Sequence, residues 1–145
     1  MKVLVTGAQG MLGQELCRSL GATAQVVGLG HAELDVTELA QVRAALRTHQ
    51  PGVVVHCAAW TDVDGCERDP EHAFAHNTRG TWNVALACQE HGCRLTYIST
   101  DYVFDGEKES AYVESDAPRP INVYGATKLA GALVKRSELG LGPLD

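Results

Sequence analysis

Lys2-Val3-Leu4-Val5-Thr6-Gly7-Ala8-Gln9-Gly10-Met11-Leu12-Gly13 is the stretch on which the fold turns. Lys2 to Thr6 is a short apolar run with β-branched valines, the pattern of a strand. It leads directly into three glycines spaced G-x-x-G-x-x-G. Leu12, Leu16 and Leu20 then recur at four-residue steps, predicting a helix with one buried stripe, and Gly21 ends it. Between strand and helix the glycines have separate tasks. Gly7 makes the tight turn, Gly10 lets a pyrophosphate reach the backbone, and Gly13 lets helix and strand pack closely. The helix N-terminus offers free N–H groups and a positive dipole end to phosphates. A plain glycine-rich turn is the alternative, and the strand before and helix after argue against it.

Working outward, Ala24–Gly28 reads as a second strand, ending in Gly28-Leu29-Gly30-His31. A carboxylate at that end binds the ribose 2′-OH of NAD. None is present, and Glu33 and Asp35 come later, so nothing there rejects a 2′-phosphate. His31 is either a solvated loop histidine or a partner for that phosphate. Leu34-Asp35-Val36-Thr37 follows, with Thr37 as a helix cap. Leu39, Val42 and Leu46 mark a helix over 38–48, and Pro51-Gly52 breaks the chain. Gly52–Cys57 is a continuous apolar strand of the kind buried on both faces. Ala58 and Ala59 end it, small enough for a flat ligand or simply for tight packing. Trp60–Glu67 reads as a loop. Asp69-Pro70 starts a long helix that Gly92 stops. Arg94–Ile98 is a fourth strand, closing on Ser99 and Thr100. The alternation of strand and helix predicts an α/β fold: a doubly wound, Rossmann-like parallel sheet with right-handed crossovers.

The formal charge of −6 and the absence of a Lys/Arg cluster exclude the basic footprint of a nucleic-acid binder. The apolar runs are shorter than a membrane span, and Met1–Val5 reads as the first strand rather than as a leader. Five cysteines in no disulfide pattern point to a reducing, cytoplasmic compartment. Cys88, His91 and Cys93 read as core cysteines and a helix-end histidine rather than metal ligands, so no metal is expected.

Tyr124 and Lys128 lie four apart in a segment expected to be helical, which places them on one face about 5–6 Å apart. An ammonium beside a phenol is expected to lower a pKa ordinarily about 10. A hydroxyl at the end of the fourth strand can bind the same substrate oxygen. Together these make a proton donor, its activator and an orienting group for a carbonyl. Pro118 and Pro120 stiffen the approach to that helix.

These marks resemble the extended short-chain dehydrogenase/reductase superfamily. Ser99-Thr-Asp-Tyr-Val-Phe-Asp-Gly106 and Asn122-Val-Tyr-Gly-Ala-Thr-Lys-Leu-Ala-Gly131 narrow the resemblance to the dTDP-4-dehydrorhamnose reductase family. Leu34-Asp-Val-Thr37 and Ala58-Ala-Trp-Thr-Asp-Val-Asp64 agree. The resemblance implies an enzyme, an NADPH- or NADH-dependent reductase converting dTDP-4-dehydro-L-rhamnose to dTDP-L-rhamnose. It implies Tyr124 as proton donor, Lys128 as its activator and a ribose contact, and Thr100 as the third catalytic residue. Gly7, Gly10, Met11, Leu12 and Gly13 match the pyrophosphate loop, Asp35 and Val36 the adenine contacts, and Ala58, Ala59 and Trp60 positions along the cofactor. Thr100, Asp101 and Tyr102 match the substrate-facing turn. The same scaffold also serves non-catalytic dinucleotide-binding or regulatory proteins, which is the rival reading.

Ala132 stands where the family carries a glutamate, and family members are much longer than this chain. The expectation is an incomplete dinucleotide-binding domain over 1–145, cut off after the helix of Tyr124 and Lys128, without its substrate-binding half. The fourth strand is expected beside the first, with its other edge open. A homo-oligomer covering that edge, or a mobile tail after about Gly131, follows from that arrangement. Residues 138–145 do not look like a further strand.

Overall fold

The structure is a computed structural model and describes residues 1–138. Four parallel strands form one sheet: β1 (Lys2–Thr6), β2 (Gln25–Leu29), β3 (Val53–His56) and β4 (Arg94–Tyr97). The helices are α1 (Met11–Leu20), α2 (Leu39–His49), α3 (Val63–Arg68), α4 (Pro70–Phe74), α5 (Gly80–His91) and α6 (Val123–Glu138). A π-helical turn, Ala75–Arg79, joins α4 to α5, and a 3-10 turn, Asp101–Val103, follows β4.

The strand order is β2-β1-β3-β4. This corrects one expectation: β3, not β4, is the second neighbour of β1. After β2 the chain crosses to the other side of β1, β3 takes that free edge, and β4 extends the sheet outward. The order therefore reverses between β1 and β3, and ligands of such sheets bind at that crevice, outside the carboxyl ends of the strands. Among the described residues β4 remains an edge strand.

Register sorts the two faces. Leu4, Val54 and Leu95 lie level across β1, β3 and β4 and pack with Val42, Leu46 and Val84 of α2 and α5. One residue along, Val5 and Val55 turn to the opposite face, against Leu16, Cys17 and Leu20 of α1. Helices thus cover both faces. Leu12 is not part of the expected stripe. It is 43% exposed, because the first turn of α1 stands above the sheet edge.

Four local expectations change. The segment after Trp60 is not all loop, since α3 forms where Asp62 caps it by accepting from the Gly65 N–H. Thr37 is not the cap of α2. Its N–H and hydroxyl both donate to Asp35 Oδ1, and Glu38 takes the cap position without a side-chain bond. The long helix after Asp69 keeps helical backbone throughout but contains the π-turn, which carries Asn77 into the interior. Such turns are insertions common at functional sites. Helix α6 continues past Gly131 to Glu138, where a tail was one of the two expected outcomes. The segment 139–145 lies outside the described residues.

All five cysteines are free thiols. Among the described residues no metal-binding cluster forms, and no helix is long and apolar enough to cross a membrane.

Candidate active site

A cleft of about 560 Å³ opens at the carboxyl ends of β1, β2 and β3. At its floor the turn after β1 needs Gly7. The residue has φ 65°, and a Cβ there would lie 2.7 Å from the Ala58 backbone nitrogen. The Ala58 N–H in turn donates to Thr6 Oγ1, locking the β1 and β3 ends together. A Cβ on Gly13 would overlap the Gly7 carbonyl, so that glycine is fixed by helix–turn contact. Gly10 differs. Its backbone is ordinary, and its missing side chain leaves the N-terminus of α1 uncapped and facing the cleft. Met11, 92% exposed, and Leu12 flank that opening.

Ala58, Ala59, Trp60, Val36, Tyr124 and Lys128 complete the wall. Thus the expected residues at 7, 10–13, 36, 58–60, 124 and 128 meet in one cleft. Asp35 does not line it; its carboxylate is held by Thr37. Burial opposes ionisation of Asp35, but the Thr37 bonds and the nearby His31 and His76 bring its pKa below the usual value. Thr100, Asp101 and Tyr102 also stay outside the lining. Thr100 caps, and Asp101 and Tyr102 begin, the 3-10 turn on which α6 packs, and Ser99 takes the wall position instead. The Thr100 hydroxyl donates to Asp101 Oδ1 and accepts from the Tyr102 N–H.

Tyr124 and Lys128 do share one face of α6, but not as expected electrostatically. Lys128 is 3% exposed; its Nζ donates to the Ile98 carbonyl at 2.7 Å and sits 4.3 Å from the Tyr97 ring centre. Burial pushes its pKa down to about 8, with the nearby Cys57 acting the other way. The Tyr124 phenol is raised rather than lowered. Its burial dominates, and the Thr100 hydroxyl beside it only partly offsets this. Tyr124 therefore holds its proton at neutral pH, as an acid must.

A buried polar chain behind the wall positions these groups. Thr81 donates to the Asn77 carbonyl, so His56 Nε2–H donates to Thr81 and His56 Nδ1 accepts from Thr6 at 2.7 Å. The Asn77 side chain accepts from the Trp60 N–H and donates to the Trp60 carbonyl and to Thr127 Oγ1. Thr127 donates to the Tyr124 carbonyl. The Tyr97 hydroxyl donates to the Lys128 carbonyl. Sequence reasoning missed His56, Asn77, Tyr97 and Thr127, which looked like core or helix residues. It also missed His72 and His76, whose four-residue spacing on a helix was a usable signal.

His56 makes the fold acid-sensitive. Burial first, and the Lys128 charge second, push its pKa down to about 3. The unfolded chain takes up this proton below about pH 6.5, whereas the fold does not. The stability is therefore complete above pH 6.5 and is lost as pH falls toward 3. Between pH 7 and pH 4.5 this one group is expected to cost about 2–3 kcal/mol. Urea unfolding at the two pH values checks it. His56→Asn should lose less stability on acidification than the parent, and an equal loss would remove His56 as the cause.

A family model, RmlD substrate binding domain, matches residues 1–139. A dTDP-4-dehydrorhamnose reductase of Streptomyces griseus is 49% identical over 88% of this chain and 42% of its own length. The crystal structure of a dTDP-4-dehydrorhamnose reductase from Bacillus anthracis str. Ames in complex with NADP superposes with TM-score 0.91 at 39% identity. That match covers 94% of this chain and 49% of the other. A Thermus thermophilus UDP-glucose 4-epimerase complex with NAD gives TM-score 0.85 at 30% identity, over 97% and 52% of the two chains. The chain spans about half the length of the relatives it matches.

Proposed function

The chain belongs to the RmlD substrate binding domain family, and from that premise we propose that it is the dinucleotide-binding part of an NADPH- or NADH-dependent reductase. Its substrate would be a nucleotide-linked 4-keto sugar, dTDP-4-dehydro-L-rhamnose, reduced to dTDP-L-rhamnose. One observation carries the reading. A single cleft at the strand-order reversal has the glycine loop on one side and Tyr124 with Lys128 on the other. The donor set fits a dinucleotide: Gly10 keeps the α1 N-terminus open, and no carboxylate is among the described lining residues.

Gly7, Gly10, Met11, Leu12 and Gly13 would hold the pyrophosphate through backbone N–H groups. Asp35 and Val36 would flank the adenine, and Ala58, Ala59 and Trp60 would lie along the cofactor. When bound, the nicotinamide supplies a hydride to the sugar C4. Tyr124 gives its phenolic proton to the carbonyl oxygen as negative charge develops there. Lys128 places a positive charge beside the ribose and stabilises the resulting phenolate. Thr100, whose hydroxyl lies beside Tyr124, would turn from the Asp101 bond to orient the carbonyl, with Asp101 and Tyr102 toward the sugar. Self-association and a cytoplasmic setting belong to the same reading, the second supported by the free thiols.

A second reading is dinucleotide binding without turnover, favoured by Thr100, Asp101 and Tyr102 staying outside the cleft lining. Incubating the purified chain with NADPH and the 4-keto sugar nucleotide, and following nicotinamide absorbance, separates the two. Consumption that requires both compounds supports the reductase. Binding without consumption supports the second reading, and absence of binding overturns both. Lys128→Met should weaken NADPH binding about tenfold, one lost charge-assisted contact, and unchanged affinity would remove Lys128 from the cofactor site.

A further inference from the structure

Three imidazoles run along the cleft wall, from His31 after β2 through His76 to His72. His31 follows β2, while His72 and His76 come from α4 and the π-turn, and all three line the wall. The His72 and His76 ring centres are 4.0 Å apart, and His31 and His76 are 6.4 Å apart. Trp60 meets His72 edge-on at 4.4 Å. His76 Nδ1–H donates to the His72 carbonyl, which leaves Nε2 outside that bond. Lys128 is the only other basic side chain among the described lining residues, and its Nζ is held at the Ile98 carbonyl, after β4.

The carboxylates near this corner are already engaged. Glu33 accepts from the Gly30 N–H, and Asp35 accepts twice from Thr37. Asp69 accepts from the His72 N–H at the start of α4. Asp35 interacts electrostatically with both His31 and His76. No carboxylate is therefore placed for a ribose 2′-OH, and an incoming phosphate meets the negative field of Asp35 unless the histidines are charged. Imidazole changes charge between about pH 5 and 8, and a phosphate monoester completes its ionisation near pH 6. Two imidazolium rings with centres 4.0 Å apart repel each other, and a dianion beside them and His31 removes that repulsion.

Resting on the cofactor reading above, we infer that His31, His72 and His76 form a proton-dependent seat for the 2′-phosphate of NADPH, so that pH sets its preference over NADH. Binding of the phosphate draws protons onto the imidazoles. Loss of those protons leaves the phosphate facing Asp35 uncompensated.

Calorimetric titration of the chain with NADPH and with NADH, at about pH 6.5 and pH 8.5, tests this. The NADPH-to-NADH affinity ratio is expected to fall about tenfold or more as pH rises, the value of one charge-assisted contact. Heats measured in two buffers of different ionisation enthalpy should show proton uptake with NADPH only. In His31→Gln and His76→Gln the ratio should become flat with pH, with NADH binding reporting that the cleft is still formed. A ratio independent of pH in the parent, or a pH slope that survives in both variants, overturns the histidine seat alone. Failure of both nucleotides to bind overturns the cofactor reading with it.

Discussion

Gly10→Glu is expected to lower the affinity for NADPH more than a hundredfold without unfolding the chain. Gly10 has extended backbone at φ −73°, ψ 163°, which any residue adopts. A Cβ there would approach only the Gly7 carbonyl, at 3.3 Å, a contact relieved by a small shift. The glutamate is therefore tolerated by the fold. Its carboxylate sits at the N-terminus of α1, where a negative charge adds about 0.3–1 kcal/mol of helix stability. That same position is the approach of the pyrophosphate, so the substitution fills it and repels the ligand. Gly10→Ala should keep affinity within about tenfold, because it adds volume without charge. Gly7 and Gly13 offer no such separation: a Cβ on either runs into backbone, so their substitution injures the fold itself. Binding titrations and melting curves on the two Gly10 variants check this. Full affinity in Gly10→Glu would show that the loop is not the phosphate site.

Tyr124→Phe is expected to remove at least a hundredfold of kcat in any reduction the chain performs, since general acid catalysis contributes about 10²–10⁴. The ring packs with Cys66 and Ala73 and lies edge-on to Tyr102 at 5.7 Å. Phenylalanine keeps those contacts, so the fold and the affinity for NADPH should change little. The phenol acts in the transition state, which places the loss in kcat rather than KM. Because burial raises the Tyr124 pKa and lowers that of Lys128 to about 8, the parent rate should hold at neutral pH, fall first as Lys128 loses its charge near pH 8, and fall again as the phenol ionises at higher pH. Steady-state kinetics against pH read this directly. A variant as fast as the parent would rule out this proton donor.

Much of this was legible because backbone chemistry leaves few options. A strand followed by Gly7 at positive φ and by a helix with Gly13 against the turn has one common solution. Strand order was not legible. Leu4, Val54 and Leu95 look alike in sequence, and nothing local says that β3 rather than β4 takes the edge of β1. The spacing of Tyr124 and Lys128 fixed a shared helix face. It did not reveal that Ile98 and Tyr97, on another element, hold the ammonium, and so it misjudged the phenol. Asn77 was hidden for a related reason: a π-turn has no sequence period, yet it turns that amide onto Trp60 and Thr127. Thr37 looked like a cap by residue type, but the nearer carboxylate of Asp35 took its donors.

Every functional step above requires that the cleft between the Gly7 turn and α6 bind a nicotinamide dinucleotide. Trp60 lines that cleft, and reduced nicotinamide absorbs where indole emits. Titrating the purified chain with NADPH while following tryptophan emission reads that binding without intermediate steps. Saturable, single-site quenching is expected in the parent, with its loss in Gly10→Glu. Emission that does not saturate as NADPH reaches about millimolar concentration, equivalent to less than about 4 kcal/mol of binding, would contradict it.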